Sequence, residues 1–171
     1  MNHPLKAFKF CPKCGSNHFE INDDRSRHCS NCNFTYYANA SAATAAIITN
    51  SKGEILLATR AFDPAKGKLD LPGGFVDINE TAEEALIREV KEELNIDIKN
   101  PKYLFSIPNE YNFSDIIVHT LDMFFQVKIE DDISIQTADD VAYAQFYDLK
   151  NVNIEDIGLN SIKKAIEKLK I

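Results

Sequence analysis

Positive charge is in short supply in this chain. Among 171 residues, 19 Lys and Arg stand against 26 Asp and Glu, a net charge of −7, which argues against a general nucleic-acid binder. No apolar run is long enough to cross a bilayer; the longest, Ala42–Thr49, is the length of one strand. Residues 1–10 lack the long apolar segment of a secretory signal. No cysteine occurs after residue 32, and there is no internal repeat or low-complexity stretch. These absences predict a soluble, cytoplasmic protein with no membrane partner. The length suits one α/β domain of ordinary size with a small appendage, and a hydrophobic fraction of 44% supports a core.

The appendage is marked by charge and by cysteine. Residues 1–40 carry five Lys and Arg against three Asp and Glu, whereas residues 41–171 carry fourteen against twenty-three. All four cysteines lie in the basic part, as Cys11-Pro-Lys-Cys14 and Cys29-Ser-Asn-Cys32. Two C-x₂-C knuckles at this spacing form a zinc-ribbon pattern in which each knuckle supplies two thiolates to one tetrahedral ion. Gly15 and Asn33 follow the knuckles and tolerate the positive φ of a tight turn. The segment between the knuckles, with Phe19 and Ile21, has room for one β-hairpin. A piece of about 40 residues is too small to fold on apolar burial alone, so structural Zn²⁺ is expected to hold it. Two disulfides would need an oxidising compartment, which nothing in the sequence indicates. His18 and His28 are read as bystanders to a complete four-cysteine set.

The expected division is a zinc ribbon over residues 1–38 and a main domain over residues 39–171. In the latter, Ala42–Thr49 and Glu54–Arg60 read as strands joined by a turn at Asn50–Gly53. A polar loop, Phe62–Lys68, leads to Leu71-Pro72-Gly73-Gly74. A helix follows, with Thr81 and Glu84 as a capping box, Asn95 as its left-handed terminator, and Leu86, Ile87, Val90 and Leu94 as its apolar stripe. Further strands are expected at Tyr103–Ile107, Ile116–Ile129 and Val141–Asp148, and a second helix at Ser161–Leu169. Strands before and after a helix predict a mixed sheet covered by helices.

The helix carries the chemistry. Glu89, Glu92 and Glu93 are related by i, i+3 and i, i+4, so their carboxylates share one stripe beside the apolar one. Like charges at that range repel, and the arrangement gains from a divalent cation that prefers oxygen, Mg²⁺ or Mn²⁺. A solvated acidic face is the plainer reading, but Gly74, Glu80 and Arg88 accompany these glutamates at fixed spacing.

Gly74, Glu80, Arg88, Glu89, Val90, Glu92, Glu93, Asn95 and Ile96 together resemble the Nudix box. Asn95 stands where that pattern has glycine, and asparagine is the next-best residue for such a turn. The resemblance implies an α/β/α sandwich and a hydrolase that cleaves a phosphoanhydride in a nucleoside diphosphate linked to another moiety, such as ADP-ribose or NADH. It implies that Glu89, Glu92 and Glu93, with the Gly73 carbonyl, bind Mg²⁺ or Mn²⁺, and that Arg88 pairs with Glu80. Gly73, Gly74, Arg60 and Phe62 are candidate substrate contacts. Glu92, Glu93 or the metals could activate the water, and Asp139 or Asp140 could supply an acid from a later loop. His119 reads as structural. Tyr111, Phe113 and Phe62 could stack on a base or belong to the core.

A ribbon ahead of such a domain is similar to the NADH pyrophosphatase layout. That group carries a Ser-Gln-Pro-Trp-Pro-Phe-Pro motif where this chain has Phe105–Phe113, and the chain has no tryptophan. Substrate choice is therefore assigned to the loops Phe62–Lys68 and Ile107–Asp115. The partner is expected to be a small nucleotide, and many such enzymes are homodimers. The alternative is a catalytically weak nucleotide sensor whose ribbon contacts a protein or nucleic acid.

Overall fold

The computed structural model describes residues 3–113, 116–130 and 133–170. Near the N-terminus, β1 (Phe19–Ile21), β2 (Ser26–Cys29) and β3 (Thr35–Tyr37) form an antiparallel sheet. This is one strand more than the expected hairpin. The third strand uses residues read from sequence as part of a boundary, because Arg27 and His28 pair with Tyr36 and Thr35 once the second knuckle has turned the chain back. Gly15 (φ 72°) and Asn33 (φ 58°) do take the left-handed conformation. Their N–H groups donate to the carbonyls of Cys11 and Cys29, at 2.8 Å in both cases, which closes each knuckle. Phe19, Cys11 and Cys29 are the small core.

The second sheet has six strands: β4 (Ser41–Thr49), β5 (Ile55–Arg60), β6 (Leu69–Asp70), β7 (Lys102–Phe113), β8 (Ile116–Lys128) and β9 (Val141–Tyr147). The order is β6-β5-β4-β8-β7, with β9 along β5. β4 runs parallel to β8 over its whole length, and the other pairings are antiparallel, so the sheet is mixed. Alternation along β4 explains the layers. Ala45 and Ile47 point to one face, Ala46 and Ile48 to the other, and all four are buried. Helix α1 (Ala82–Leu94) covers one face through Leu86, Val90 and Leu94. Helix α2 (Asn160–Leu169) covers the other through Ile162, Ala165 and Ile166. Each of these Leu, Ile and Val side chains contributes about 1.5–3 kcal/mol by leaving water, and Ala165 less. The result is an α/β/α sandwich.

Two features differ from the sequence expectation. Strand β7 does not stop at Ile107 but continues to Phe113, paired with β8 down to Ile116. Pro108 and the polar residues around it hide this strand in the sequence. An edge position tolerates a missing N–H, and a β-branched partner strand supplies the pairing. Most of the expected loop Ile107–Asp115 is therefore strand; Ser114 and Asp115 lie outside the described residues.

Strands β4 and β5 also do not form a full hairpin. They pair only at Thr49 and Ile55. Beyond that point they diverge, and residues 69–76 fill the gap. Ala58 of β5 pairs with Asp70, while Ala46 N donates to Pro72 O at 2.7 Å and Thr44 N to Gly74 O at 2.8 Å. The Gly-Gly segment is thus wedged into the sheet rather than looped above it.

Candidate functional site

The helix that carries the acids is built as its local signals predict. The Thr81 hydroxyl accepts from Glu84 N at 3.2 Å, and the Glu84 carboxylate accepts from Thr81 N at 2.8 Å. Asn95 ends the helix at φ 55°. The apolar stripe differs in one member: Ile87 is 37% exposed, and Ala85 is buried in its place. The acids do not sit beside the buried arc as expected; two of them sit within it. At about 100° per residue, Glu93 lies roughly 80° round from Ala85 and Leu94 roughly 180°, so Glu93 falls between them. Glu93 is only 7% exposed.

Burial pushes the Glu93 carboxyl up to about 8, with Glu89, Asp70 and Asp140 adding to the rise. Its one compensation is a hydrogen bond accepted from Gly73 N at 3.0 Å. Desolvation also raises Glu89, opposed by Arg88 and reinforced by Glu92 and Asp139. Arg88 organises the rim. Its Nε and Nη2 donate to the two oxygens of Glu80 at 2.9 and 2.8 Å. Its Nη1 donates to Glu89 at 2.8 Å and to Glu92 at 3.2 Å, and Nη2 also reaches the Phe75 carbonyl at 3.2 Å. The Arg88 hydrogen bond holds Glu80 below the usual carboxylate range. The expected Glu80–Arg88 pair is therefore present, and it ties the loop after Gly74 to the helix.

The two glycines are needed for different reasons. Gly73 has φ 141°, and a Cβ there would lie 2.9 Å from Ala45 Cα and from Thr44 C, both backbone atoms of β4. A Cβ on Gly74 would lie 2.5 Å from Glu89 Oε1. The close approach of Gly74 to Glu89 is what lets this carboxylate lie against the loop.

Asp139 and Asp140 reach the same region because their loop is pinned to the helix end. Gln136 N donates to Leu94 O at 3.0 Å and Ala138 N to Glu93 O at 2.9 Å. Asp140 lines a cleft of about 140 Å³ together with Gly73, Gly74 and Glu93. Arg60 lines it too, but its guanidinium is committed: Nη1 donates to Asp70 at 2.7 Å and Nε to Pro64 O at 2.6 Å. Phe62 is 59% exposed and is not part of the cleft wall. Tyr111 is in the wall and Phe113 is outside it.

Sequence reasoning missed Thr44, Asp70, Asn109, Thr120, Asp122 and Ser161, all buried polar residues at or next to this cleft. One signal was legible. Asp122 stands directly before the apolar run Met123–Phe125 of β8, and a carboxylate in such a place asks for a partner.

The acidic set suits a hard cation. Carboxylates with a backbone carbonyl are the donors that Mg²⁺ and Mn²⁺ prefer, and a cation there would offset the desolvation and the lesser carboxylate repulsion that raise Glu89 and Glu93. Their oxygens are not drawn into one tight cluster, since Arg88 takes Glu89 and Glu92 while Gly73 takes Glu93.

The four cysteines are drawn together. Their sulfurs all lie within 4.8 Å of one another, the only such His, Cys, Asp or Glu set among the described residues. Cys11 and Cys32 are 3.7 Å apart, as are Cys14 and Cys29. A tetrahedron with Zn–S bonds of about 2.3 Å has edges of about 3.8 Å, so the set fits Zn²⁺. A backbone N–H at Ser16 and the Asn31 amide bring the Cys14 thiol down to about 6, while burial and the neighbouring sulfurs push Cys32 up to about 12, an opposition that a shared cation would relieve. His28 stands apart, its Nδ1 2.9 Å from Thr35 Oγ1.

The NUDIX domain family model matches residues 39–169. The chain is 37% identical over 120 residues to the NAD-capped RNA hydrolase NudC of Haemophilus influenzae (strain PittGG), covering 68% of this chain and 45% of that protein. The chain thus spans about half the length of that relative. It is 33% identical over 121 residues to the ADP-ribose pyrophosphatase of Methanocaldococcus jannaschii, covering 70% and 68% of the two chains. The NUDIX hydrolase of Nitrosomonas europaea superposes with a TM-score of 0.72 at 24% identity, over 94% of this chain and 92% of that one. No helix among the described residues is long and apolar enough to cross a membrane. On its domain match, its fold and its spaced acidic motif, the chain belongs to the Nudix family of hydrolases.

Proposed function

We propose that the protein is a divalent-metal-dependent pyrophosphohydrolase acting on a nucleoside diphosphate linked to another moiety, with ADP-ribose and NADH as the leading substrates. The observation that carries this is Glu93. A 7%-exposed carboxylate held by one backbone N–H, beside Glu89 and facing Asp140, is a site waiting for positive charge. The names of the relatives point the same way, since one is an ADP-ribose pyrophosphatase and another is an NAD-capped RNA hydrolase.

Glu89, Glu92, Glu93 and the Gly73 carbonyl would hold Mg²⁺ or Mn²⁺. When bound, such an ion neutralises the phosphate oxygens and acidifies a water for in-line attack. The chain's own residues do the rest. Gly73 and Gly74 let the backbone come close to the pyrophosphate, because neither carries a side chain there. Arg88 fixes Glu89 and Glu92 from behind and is a positioning residue. Glu92 is half exposed at the rim and Glu93 lies at depth, and these two are the geometric candidates to take the proton of the water. The ribbon is assigned a structural Zn²⁺.

The test is incubation with Mg²⁺ and a panel of nucleotide pyrophosphates, reading mononucleotide release. Turnover that collapses in Glu92→Gln or Glu93→Gln, with the melting curve preserved, supports the assignment. Tight ADP-ribose binding with no turnover of any panel member would replace it with a sensing role.

A further inference from the structure

The cleft does not end at the glutamates. It runs across the sheet face beneath α2, where its wall becomes Asn109, Tyr111, Thr120 and Asp122. None of these residues belongs to the acidic motif. Asn109 is 8% exposed, and its Oδ1 has no hydrogen-bond partner. An orphaned buried amide oxygen costs about 1–3 kcal/mol, so it marks a place where a donor is missing.

Asp122 is 6% exposed, and its two oxygens are held by hydroxyls rather than by a cation. Thr120 Oγ1 donates to Oδ1 at 2.6 Å and Ser161 Oγ to Oδ2 at 2.5 Å. Each oxygen keeps a second lone pair. Asn109 is paired with Thr120 across β7 and β8, and Asp122 is two residues further on the same face. The two acceptors are therefore diagonal neighbours, with backbone positions roughly 7 Å apart.

The same cavity is walled by two rings, Phe75 and Tyr111, in edge-to-face contact at 5.9 Å. The cleft as a whole, glutamate end included, holds about 140 Å³; a void of about 150 Å³ takes benzene, so there is room for one small ring system.

We infer that this end of the cleft is a subsite for an aromatic ring carrying an NH₂ group, with the ring against Phe75 and Tyr111 and its two N–H bonds divided between Asn109 Oδ1 and Asp122. The amine of adenine and the carboxamide of nicotinamide both meet this description. A ring with a carbonyl or carboxylate in that place sets oxygen against two acceptors and is rejected. The subsite rests on the proposed hydrolase reading only in placing the pyrophosphate at the glutamate end.

Mononucleotides test it without turnover, because they contain no anhydride to cleave. Calorimetry of the intact protein with Mg²⁺ compares AMP with IMP, and nicotinamide mononucleotide with nicotinate mononucleotide. The NH₂-bearing member of one pair is expected to bind at least about tenfold tighter, and the pair that discriminates names the ring. Asn109→Ala should bring that ratio to within about threefold, whereas Asn109→Asp, which keeps an acceptor, should retain most of it. Asp122→Asn should also lower the ratio, and a melting curve checks that this buried variant is folded.

Equal binding within both pairs, no saturable binding of any of the four, or a ratio that survives Asn109→Ala would overturn the subsite. The two readings fail separately. Hydrolysis of ADP-ribose with no discrimination leaves the hydrolase and removes the subsite; discrimination with no hydrolysis does the reverse.

Discussion

Substituting the two adjacent glycines by alanine should produce opposite phenotypes. At Gly74 the added Cβ would lie 2.5 Å from Glu89 Oε1 and 2.6 Å from its Cδ. Both are side-chain atoms, so the carboxylate swings away and the backbone stays. That movement breaks the 2.8 Å contact between Glu89 and Arg88 and displaces an oxygen of the proposed metal site. Gly74→Ala should therefore change stability by less than about 1 kcal/mol, while metal affinity falls by about 10–100-fold, the usual cost of disturbing the groups that orient a ligand.

At Gly73 the obstacle is backbone: Thr44 C and Ala45 Cα at 2.9 Å, with the Thr44 carbonyl oxygen closer still. The φ of 141° adds strain that no side chain can relieve. Strain of about 1–3 kcal/mol and an overpacking cost of about 1–3 kcal/mol together predict a loss of about 2–6 kcal/mol. For a chain of this size the midpoint, about 4 kcal/mol, is a drop in Tm of roughly 8–16 °C. Thermal melts and Mn²⁺ titration of the two variants provide the assay. Full metal affinity in Gly74→Ala, or a wild-type Tm in Gly73→Ala, would refute the placement of the Gly-Gly segment inside the sheet.

Removing Zn²⁺ with a strong chelator should expose residues 1–40 to protease while the far-ultraviolet signal of the main domain persists; one zinc per chain by elemental analysis checks the premise. Thr81→Ala removes the α1 cap and should cost about 1 kcal/mol, read as a Tm shift of about 2–4 °C. Arg88→Lys keeps the charge but loses the two-pronged hold on Glu80, so activity should fall clearly with little change in fold. The metal-free carboxyl of Glu93 is raised to about 8 from an unfolded value of 4.5. Between those values the native state binds more protons than the unfolded one, so metal-free stability should fall as pH rises through this window. Metal affinity should climb over the same range, because the ion needs the carboxylate. A metal titration between pH 6 and 9 that shows no slope would remove the assignment.

Local signals proved trustworthy where a few neighbouring residues decide the outcome. The capping box at Thr81 and Glu84, the αL turns at Asn95, Gly15 and Asn33, and the Glu80–Arg88 pair all depend on residues within one or two turns of chain. Ile87 and the end of β7 were misread for the opposite reason. Which arc of α1 is buried depends on where the sheet lies, and whether residues 108–113 extend depends on a partner strand. Phe62, a plausible stacking residue by position, stands 59% exposed and away from the cleft.

The sequence by itself determined the two donor sets, because four thiols at knuckle spacing and three carboxylates at helical spacing are set by the periodicity of the chain. Only the tertiary structure decided that Glu93 is buried rather than solvated, since the divergence of β4 from β5 lets Gly73 reach it. Only the structure brought Asn109 on β7, Asp122 on β8 and Ser161 on α2 to one pocket. These residues are separated by up to 52 positions in the chain, and no local pattern encodes their meeting. Strand pairing and helix packing do, which is why this pocket was silent in the sequence while the acidic motif was not.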